Sequence, residues 1–259
     1  MEPYDLTALD AALQGTLFAG RVRYFPATNS TNSLAIEAAH NGEAEGAVFV
    51  AGQQMAGRGR GGHAWHSAPG TGLYVSVLLR PTMSATEAMK LALVAGLAAQ
   101  SAILRSADLK VDLRWPNDLM LNGRKCGGIL VETATETSGQ MRHVVVGIGI
   151  NVNHEAFPDE LRIEATSLSM ETEREQDVQT LLAALLVEFE RELQAMARGE
   201  DVIARFEAAS TWARGKRVSV AEDGGYTGTT AGLDGDGLLR VNDDRGGERR
   251  VRSGGVREI

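Results

Sequence analysis

Asn122 and Gly123 constrain the fold of this chain more than any other pair of neighbours. They stand between two β-like runs, "DLML" and "RKCGGIL", and Asn-Gly accepts the left-handed backbone that a two-residue hairpin turn demands. Four more runs read as strands: "AVFVAGQQ", "GLYVSVLLRP" closed by Pro81, the alternating "LKVDLRWP", and "RHVVVGIGINVN". The sheet is expected to be mainly hairpin-built.

Helical signals fall between the strands. "NSTNSLAIEAAHNG" offers a polar N-terminal cluster and a stop at Asn41-Gly42. Ser84 and Glu87 form a capping box ahead of "AMKLALVAGLAAQSAILR", which is apolar nearly all round and is expected at the centre. Helical spacing returns at Leu181, Leu182, Leu185, Leu186, Phe189 and Leu193, ending near Gly199, and a further helix is expected from Asp201 to Ala213. After Gly215 the texture changes to short β-like pieces separated by Gly-Gly, Asp-Gly and Asn-Asp-Asp turns. The spacing predicts an α+β domain over residues 1–213 and a small β-barrel over 214–259. The junction is short, so the two parts are expected to pack together.

Composition narrows the function classes. The chain has 259 residues, 43% of them apolar, enough for one good core and a small extra module. A single cysteine, Cys126, excludes an internal disulfide framework and fits a reducing compartment. "MEPYDLTALDAAL" lacks a basic region followed by an apolar one, and no run approaches the roughly 20 apolar residues of a membrane span. A cytoplasmic protein is expected. A formal net charge of −8 argues against non-specific nucleic-acid binding. Local basic islands therefore carry the information.

The first island is "GQQMAGRGRGGHAWHSAPGTG", residues 52–72. Gly57, Gly59 and Gly62 match the dinucleotide fingerprint, but a proline and further glycines follow where that motif needs a helix. No Gly-Lys-Ser/Thr follows either, which excludes a P-loop. What remains is a glycine loop presenting Arg58 and Arg60, whose planar donor forks suit carboxylate and phosphate. The bland alternative is a solvated turn. His63 and His66 sit three apart without a third ligand nearby, so no metal site is expected. Trp65 is either a hydrophobic anchor or the wall of a pocket for a flat ring.

Asn29 to Asn32 can cap a helix, recognise a neutral polar ligand group, or do both. In "RWPNDLMLNGRKCGGIL" the glycines Gly127 and Gly128 lie inside a strand, which usually means a close approach by a ligand or another backbone. Lys125 beside them reads as a cation aimed into a site. "GIGINVN" ends a strand in two asparagines and alone decides little.

Together these segments resemble the biotin protein ligase family. "STN" at 30–32, "QMAGRGRGGHAW" at 54–65, "GLYVSVLLRP" at 72–81, "RWPNDLMLNGRKCGGILVE" at 114–132, "GIGINVN" at 147–153 and "ATSL" at 165–168 appear in family order. "SGGVREI" near the end is similar to the family's SH3-like barrel. The resemblance implies a mixed sheet flanked by helices, related to class II tRNA synthetases and lipoate ligases. It implies an enzyme that joins biotin to ATP as biotinyl-5′-AMP and passes the acyl group to a lysine of a biotin carboxyl carrier protein of acetyl-CoA carboxylase. Ser30, Thr31, Asn32 and Gln54 would then meet the neutral ureido ring. Arg58, Gly59, Arg60, Lys125 and Gly128 would hold the carboxylate side, with Arg60 and Lys125 as the catalytic pair. Trp65, Asn117 and Asn151 would join Arg58, Arg60 and Lys125 on the adenylate. Asp118 would take the incoming lysine's proton or orient Arg114. Mg²⁺ is expected on ATP, not on protein ligands.

Two positions depart from the family pattern: Arg114 stands where lysine is common, and His63 where a basic residue is common. Only about 27 residues precede the first motif, so no operator binding is expected. Edge strands leave a homodimer open. Competing readings are a lipoate or octanoyl ligase, which should lack "GRGRGG" and "WPND", a metabolite-sensing repressor, and an inactive binding module.

Overall fold

The computed structural model describes residues 4–135, 141–159, 161, 164–252 and 255–259. Its main sheet has seven strands in the order β1-β2-β3-β7-β6-β5-β4. After a short helix α1 (Leu6–Ala12), strand β1 (Val22–Phe25) runs parallel to β2 (Val48–Ala51), because helix α2 (Thr31–His40) carries the chain back between them. Every other pair is antiparallel: β3 (Gly72–Leu79), β4 (Asp112–Arg114), β5 (Asp118–Leu121), β6 (Arg124–Thr135) and β7 (Met141–Asn151). The sheet is mixed and mainly hairpin-built. Asn122 and Gly123 make the β5–β6 turn with φ of 50° and 78°, the pair of left-handed residues such a turn requires.

Side-chain alternation divides the sheet into two faces. On β3, Leu73, Val75, Val77 and Leu79 join the large core; on β7, Val144, Val146, Ile148 and Ile150 do the same. Above that face the Ser84–Glu87 box caps α3 (Ala85–Ala88), with Glu87 N donating to Ser84 Oγ at 3.3 Å and Ser84 N to the Glu87 carboxylate at 2.9 Å. Next comes α4 (Lys90–Ala107), whose buried residues, Leu91, Val94, Leu97 and Ile103 among them, reach nearly all round it. Burying each such side chain is worth about 1.5–3 kcal/mol. A central helix is the result. After α5 (Leu168–Thr172), α6 (Val178–Ala197) packs against α4 through Leu181, Leu182, Leu185, Leu186 and Phe189.

The opposite face is covered by α2 with a smaller core of Ala35, Ala39, Ala47, Phe49, Leu78 and Val145. Ser30 caps α2, its Oγ accepting from Ser33 N at 3.4 Å. The cleft described below opens on this face.

Helix α7 (Val202–Ala209) is shorter than the sequence predicts. Asp201 caps it, but at Ser210 the backbone extends and the hydroxyl donates to Leu113 O at 2.5 Å while accepting from Trp212 N and Ala213 N. That side-chain hub competes with the helix and ends it.

The second sheet is antiparallel in the order β11-β10-β9-β8-β12, built from β8 (Arg214–Val220), β9 (Tyr226–Leu233), β10 (Leu239–Asp243), β11 (Glu248–Val251) and β12 (Val256–Glu258). It is consistent with an SH3-like barrel; of the expected "SGGVREI" segment, Ser253 and Gly254 lie outside the described residues. Its Val218, Leu239 and Val241 continue the large core, and Trp115 Nε1 donates to Gly237 O at 2.9 Å. The turn after β4 and the β9–β10 turn are therefore in direct contact.

Candidate functional site

A cleft of about 460 Å³ lies between the α2 face of the sheet and the glycine loop. Because side chains alternate, β3 sends Tyr74 and Ser76 toward it, β6 sends Gly128, Leu130 and Glu132, and β7 sends Gly147 and Gly149. The three glycines make room for two side chains. A Cβ on Gly147 would stand 2.1 Å from Asn32 Oδ1, one on Gly149 2.7 Å from the Trp65 indole, and one on Gly128 3.2 Å from the same ring. The close neighbours expected at Gly127 and Gly128 belong to this protein: Leu119 and the backbone oxygen of Gly149 at the first, the Trp65 ring at the second. That tryptophan is anchor and wall together, and its Nε1 is buried with no hydrogen-bond partner among the described residues.

One end of the cleft is neutral and polar. Thr31 N and Oγ1 both donate to Gln54 Oε1, at 2.9 and 3.2 Å, and Gln54 Nε2 donates to Ser67 Oγ at 3.1 Å. Ser76 Oγ lies 2.5 Å from Asn32 Oδ1 and 2.7 Å from Thr31 Oγ1. Ser30, Thr31, Asn32 and Ser76 are all buried. Donors and acceptors held this way suit an uncharged ligand with both.

The other end is cationic. Lys125 owes its direction to a β-bulge: Leu119 pairs with Gly127 but Met120 pairs with Lys125, so Cys126 is an extra residue on β6. Strict alternation would have pointed Lys125 into the core. The bulge buries Cys126 instead, where desolvation pushes its thiol up. Lys125 Nζ then sits 2.5 Å from Asp118 Oδ1 and 5.4 Å from the Trp65 ring centroid. Arg60 leans on the Trp115 ring at 5.8 Å and donates to Arg252 O at 3.4 Å. Desolvation draws its pKa down from the usual arginine value against the opposing pulls of Glu222 and Asp118. A desolvated guanidinium binds an anion more strongly than an exposed one.

Ser30, Thr31, Asn32, Gln54, Arg58, Gly59, Arg60, Trp65, Asn117, Lys125 and Gly128 all line the cleft. Two expected residues stand behind it. Asn151 is buried, its Nδ2 donating to Thr166 O at 3.0 Å and Lys125 O at 3.4 Å, so it braces the strand that carries the lysine. Asp118 reaches Lys125, whereas Arg114 lies 5.2 Å over the Trp212 ring. Asn117, which lines the cleft, donates Nδ2 to Ile129 O at 2.7 Å. His63 is exposed, with its carbonyl taking Gly59 N at 2.6 Å. His66 packs 5.8 Å from His154, and among the described residues no three His, Cys, Asp or Glu side chains gather as metal ligands.

Three contributors escape a reading of the motifs: Ser76, Glu132 and Gly147 as a seat for Asn32. Ser76 is a lone hydroxyl in the apolar run "GLYVSVLL", which was a legible signal. Glu132 shares a face with Gly128 and Leu130, but its partners are visible only in three dimensions.

Residues 24–151 match the biotin/lipoate A/B protein ligase family. The chain belongs to that family. It is 35% identical over 227 residues to the bifunctional ligase/repressor BirA of Bacillus subtilis, covering 86% of this chain and 70% of that one. With the biotin–[acetyl-CoA-carboxylase] ligase of Mycobacterium tuberculosis it shares 32% over 235 residues, 88% of this chain and 85% of the relative. The solved biotin protein ligase of Aquifex aeolicus in complex with biotin and ATP superposes with a TM-score of 0.77 at 27% identity, covering 93% of this chain and all of that one.

Proposed function

We propose that this protein is an ATP-dependent biotin–protein ligase whose cleft performs two half-reactions. In the first, the biotin carboxylate attacks the α-phosphorus of ATP, the bond to the β-phosphate oxygen breaks, and pyrophosphate leaves biotinyl-5′-AMP behind. The acid is already ionised near neutral pH, so no general base is needed. Two anions must meet, and the barrier is lowered mainly by positive charge and in-line placement. Arg60 and Lys125 supply that charge. Mg²⁺ rides on the triphosphate, held mostly by phosphate oxygens and water.

In the second half-reaction a lysine amine of the carrier attacks the acyl carbon of the mixed anhydride, and AMP departs as the acyl–oxygen bond breaks. Asp118, 2.5 Å from Lys125, holds that cation in the first half and is our candidate to receive the amine's proton in the second. Ser30, Thr31, Asn32 and Gln54 form the ureido end; Trp65 and Asn117 flank the adenylate, with Asn151 bracing from behind. Residues 1–213 act as the catalytic unit and 214–259 as a barrel fastened to its Trp115 corner. The carrier is the biotin carboxyl carrier protein of acetyl-CoA carboxylase. No helix among the described residues is long and apolar enough to cross a membrane; we infer a cytoplasmic enzyme without a membrane partner, and the net charge of −8 argues against a nucleic-acid partner. The edge strands β1 and β4 are the places where a second copy could pair.

One observation carries this reading: a neutral donor–acceptor end at Thr31, Asn32, Gln54 and Ser76 faces Arg60 and Lys125 across one cleft walled by Trp65. A lipoyl or octanoyl chain offers nothing for the polar end to bind. The test is to incubate the protein with ATP, Mg²⁺ and either biotin or lipoate, following pyrophosphate release and label transfer to a biotin carrier domain. Biotin-dependent release followed by labelling is expected. Turnover with lipoate alone would move the chain to the sister activity.

A further inference from the structure

Three cations reach the cleft, and they are not equivalent. Arg60 rests on an aromatic face and Lys125 is fixed by strand register, but Arg58 is already committed to a carboxylate. Its Nη2 lies 3.1 and 3.0 Å from the two oxygens of Glu132. The same carboxylate accepts Asn32 Nδ2 at 2.7 Å. Asn32 then meets Ser76, Ser76 meets Thr31, and Thr31 donates to Gln54. Gln54 donates to Ser67, whose hydroxyl lies 3.4 Å from Trp65 O. The network starts at one side of the glycine loop and returns to the other, passing through the whole polar end of the cleft.

We propose that Glu132 is a positioning residue: it latches Arg58 to Asn32, so that recognition of the neutral ring and closure of the loop become one event, and Arg58 does not act on the reacting anions. The proposal rests on the biotin-ligase reading for the identity of the ring. Its energetics follow from burial. The Arg58–Glu132 pair is partly exposed, with side-chain exposures of 44% and 31%, and such a pair alone contributes little. The buried Asn32 amide adds a charge-assisted hydrogen bond that a ligand contacting Asn32 strengthens or strains. The Glu132 carboxylate offsets the Arg58 charge, which weakens that arginine's pull on a further anion and makes it a clasp for the loop.

The experiment is a double-mutant cycle on the full chain with Glu132→Gln, Arg58→Gln and the double variant, read as KM for biotin against kcat for pyrophosphate release. Gln at 132 can still accept from Asn32 and removes only the charge. Each single variant is expected to raise the biotin KM about tenfold with kcat within about twofold, and the double variant to be no worse than either, because both remove one interaction. Additive effects, or an Arg58→Gln variant that loses kcat with an unmoved biotin KM, would overturn the latch. If the wild type itself releases no pyrophosphate with biotin, the ligase reading fails separately. The latch is then read by hydrogen exchange without ligand: the Gly59 and Trp65 amides, bonded to His63 O and Gly57 O, should exchange faster in Glu132→Gln, and unchanged exchange overturns it.

Discussion

The glycine loop and the β5–β6 hairpin both present cations to the cleft, and they hold them by different means. On the hairpin, Lys125 and Asp118 lie on adjacent paired strands, and the bulge at Cys126 turns Lys125 to the face of Asp118. On the loop, Arg58 and Arg60 depend on Glu132, Trp115 and Arg252, which are distant in sequence. Strand register makes a cation permanent, whereas side-chain contacts make it conditional on the loop staying closed. An enzyme that must admit ATP and then cover an adenylate benefits from one cation of each kind.

The largest test of this contrast is Lys125→Gln. It removes the permanent cation and leaves Asp118 unpaired, so kcat/KM for pyrophosphate release should fall about 10²–10³-fold, measured by initial rates at saturating ATP. A fall no larger than that of Arg58→Gln would erase the distinction between fixed and conditional cations.

The root of the loop should respond to mild acid before the hairpin, whose Asn122 and Arg124 are tied to Glu171, a carboxylate that, despite desolvation, these bonds hold below its ordinary value. Burial, with His66 nearby, holds the His154 imidazole down at about 4, and its Nε2 lies 3.4 Å from the Tyr74 hydroxyl. From the ordinary histidine value down to about pH 4 the unfolded chain binds a proton that the folded chain refuses. Stability therefore decreases as pH falls through that window, by roughly 3 kcal/mol when complete. Denaturant titrations from pH 7 to 4 should show a shallower slope for His154→Gln, and hydrogen exchange should show the loop loosening before β5–β6.

Gly149→Ala attacks the loop's anchor. The new methyl would stand 2.7 Å from the Trp65 indole, which must move, at a cost of about 1–3 kcal/mol. A lowered melting temperature with quenched or shifted tryptophan emission checks it. The smallest effect is expected from Asp118→Asn, which keeps a hydrogen-bonding partner for Lys125 and lowers adenylation only about tenfold. If transfer from preformed biotinyl-5′-AMP to the carrier falls by the same factor, Asp118 positions the lysine in both steps; a larger fall in transfer marks it as the proton acceptor.

Much of this molecule was legible in the chain. The Asn122-Gly123 turn, the Ser84–Glu87 box and the glycine loop follow from local chemistry, because left-handed backbone, capping and donor geometry are properties of a few neighbours; the set of residues lining the cleft was implied by the resemblance to the biotin protein ligases. The helix after Asp201 was read too long because Ser210 is an ordinary helix residue until Leu113 O comes within reach of its hydroxyl. That Lys125 faces the site was read from the glycine pair beside it, but the bulge that turns it there was not. Alternation along "RKCGGIL" assigns it to the core, and only pairing with β5 reveals that Cys126 is bulged. Glu132 and Ser76 belong to the same class, since a contact between residues 58 and 132 has no local signature. The sequence by itself determined which chemical groups this protein owns and which short elements they sit on. Register and long-range packing decided which of them face one another, because a one-residue slip in a strand exchanges its two faces.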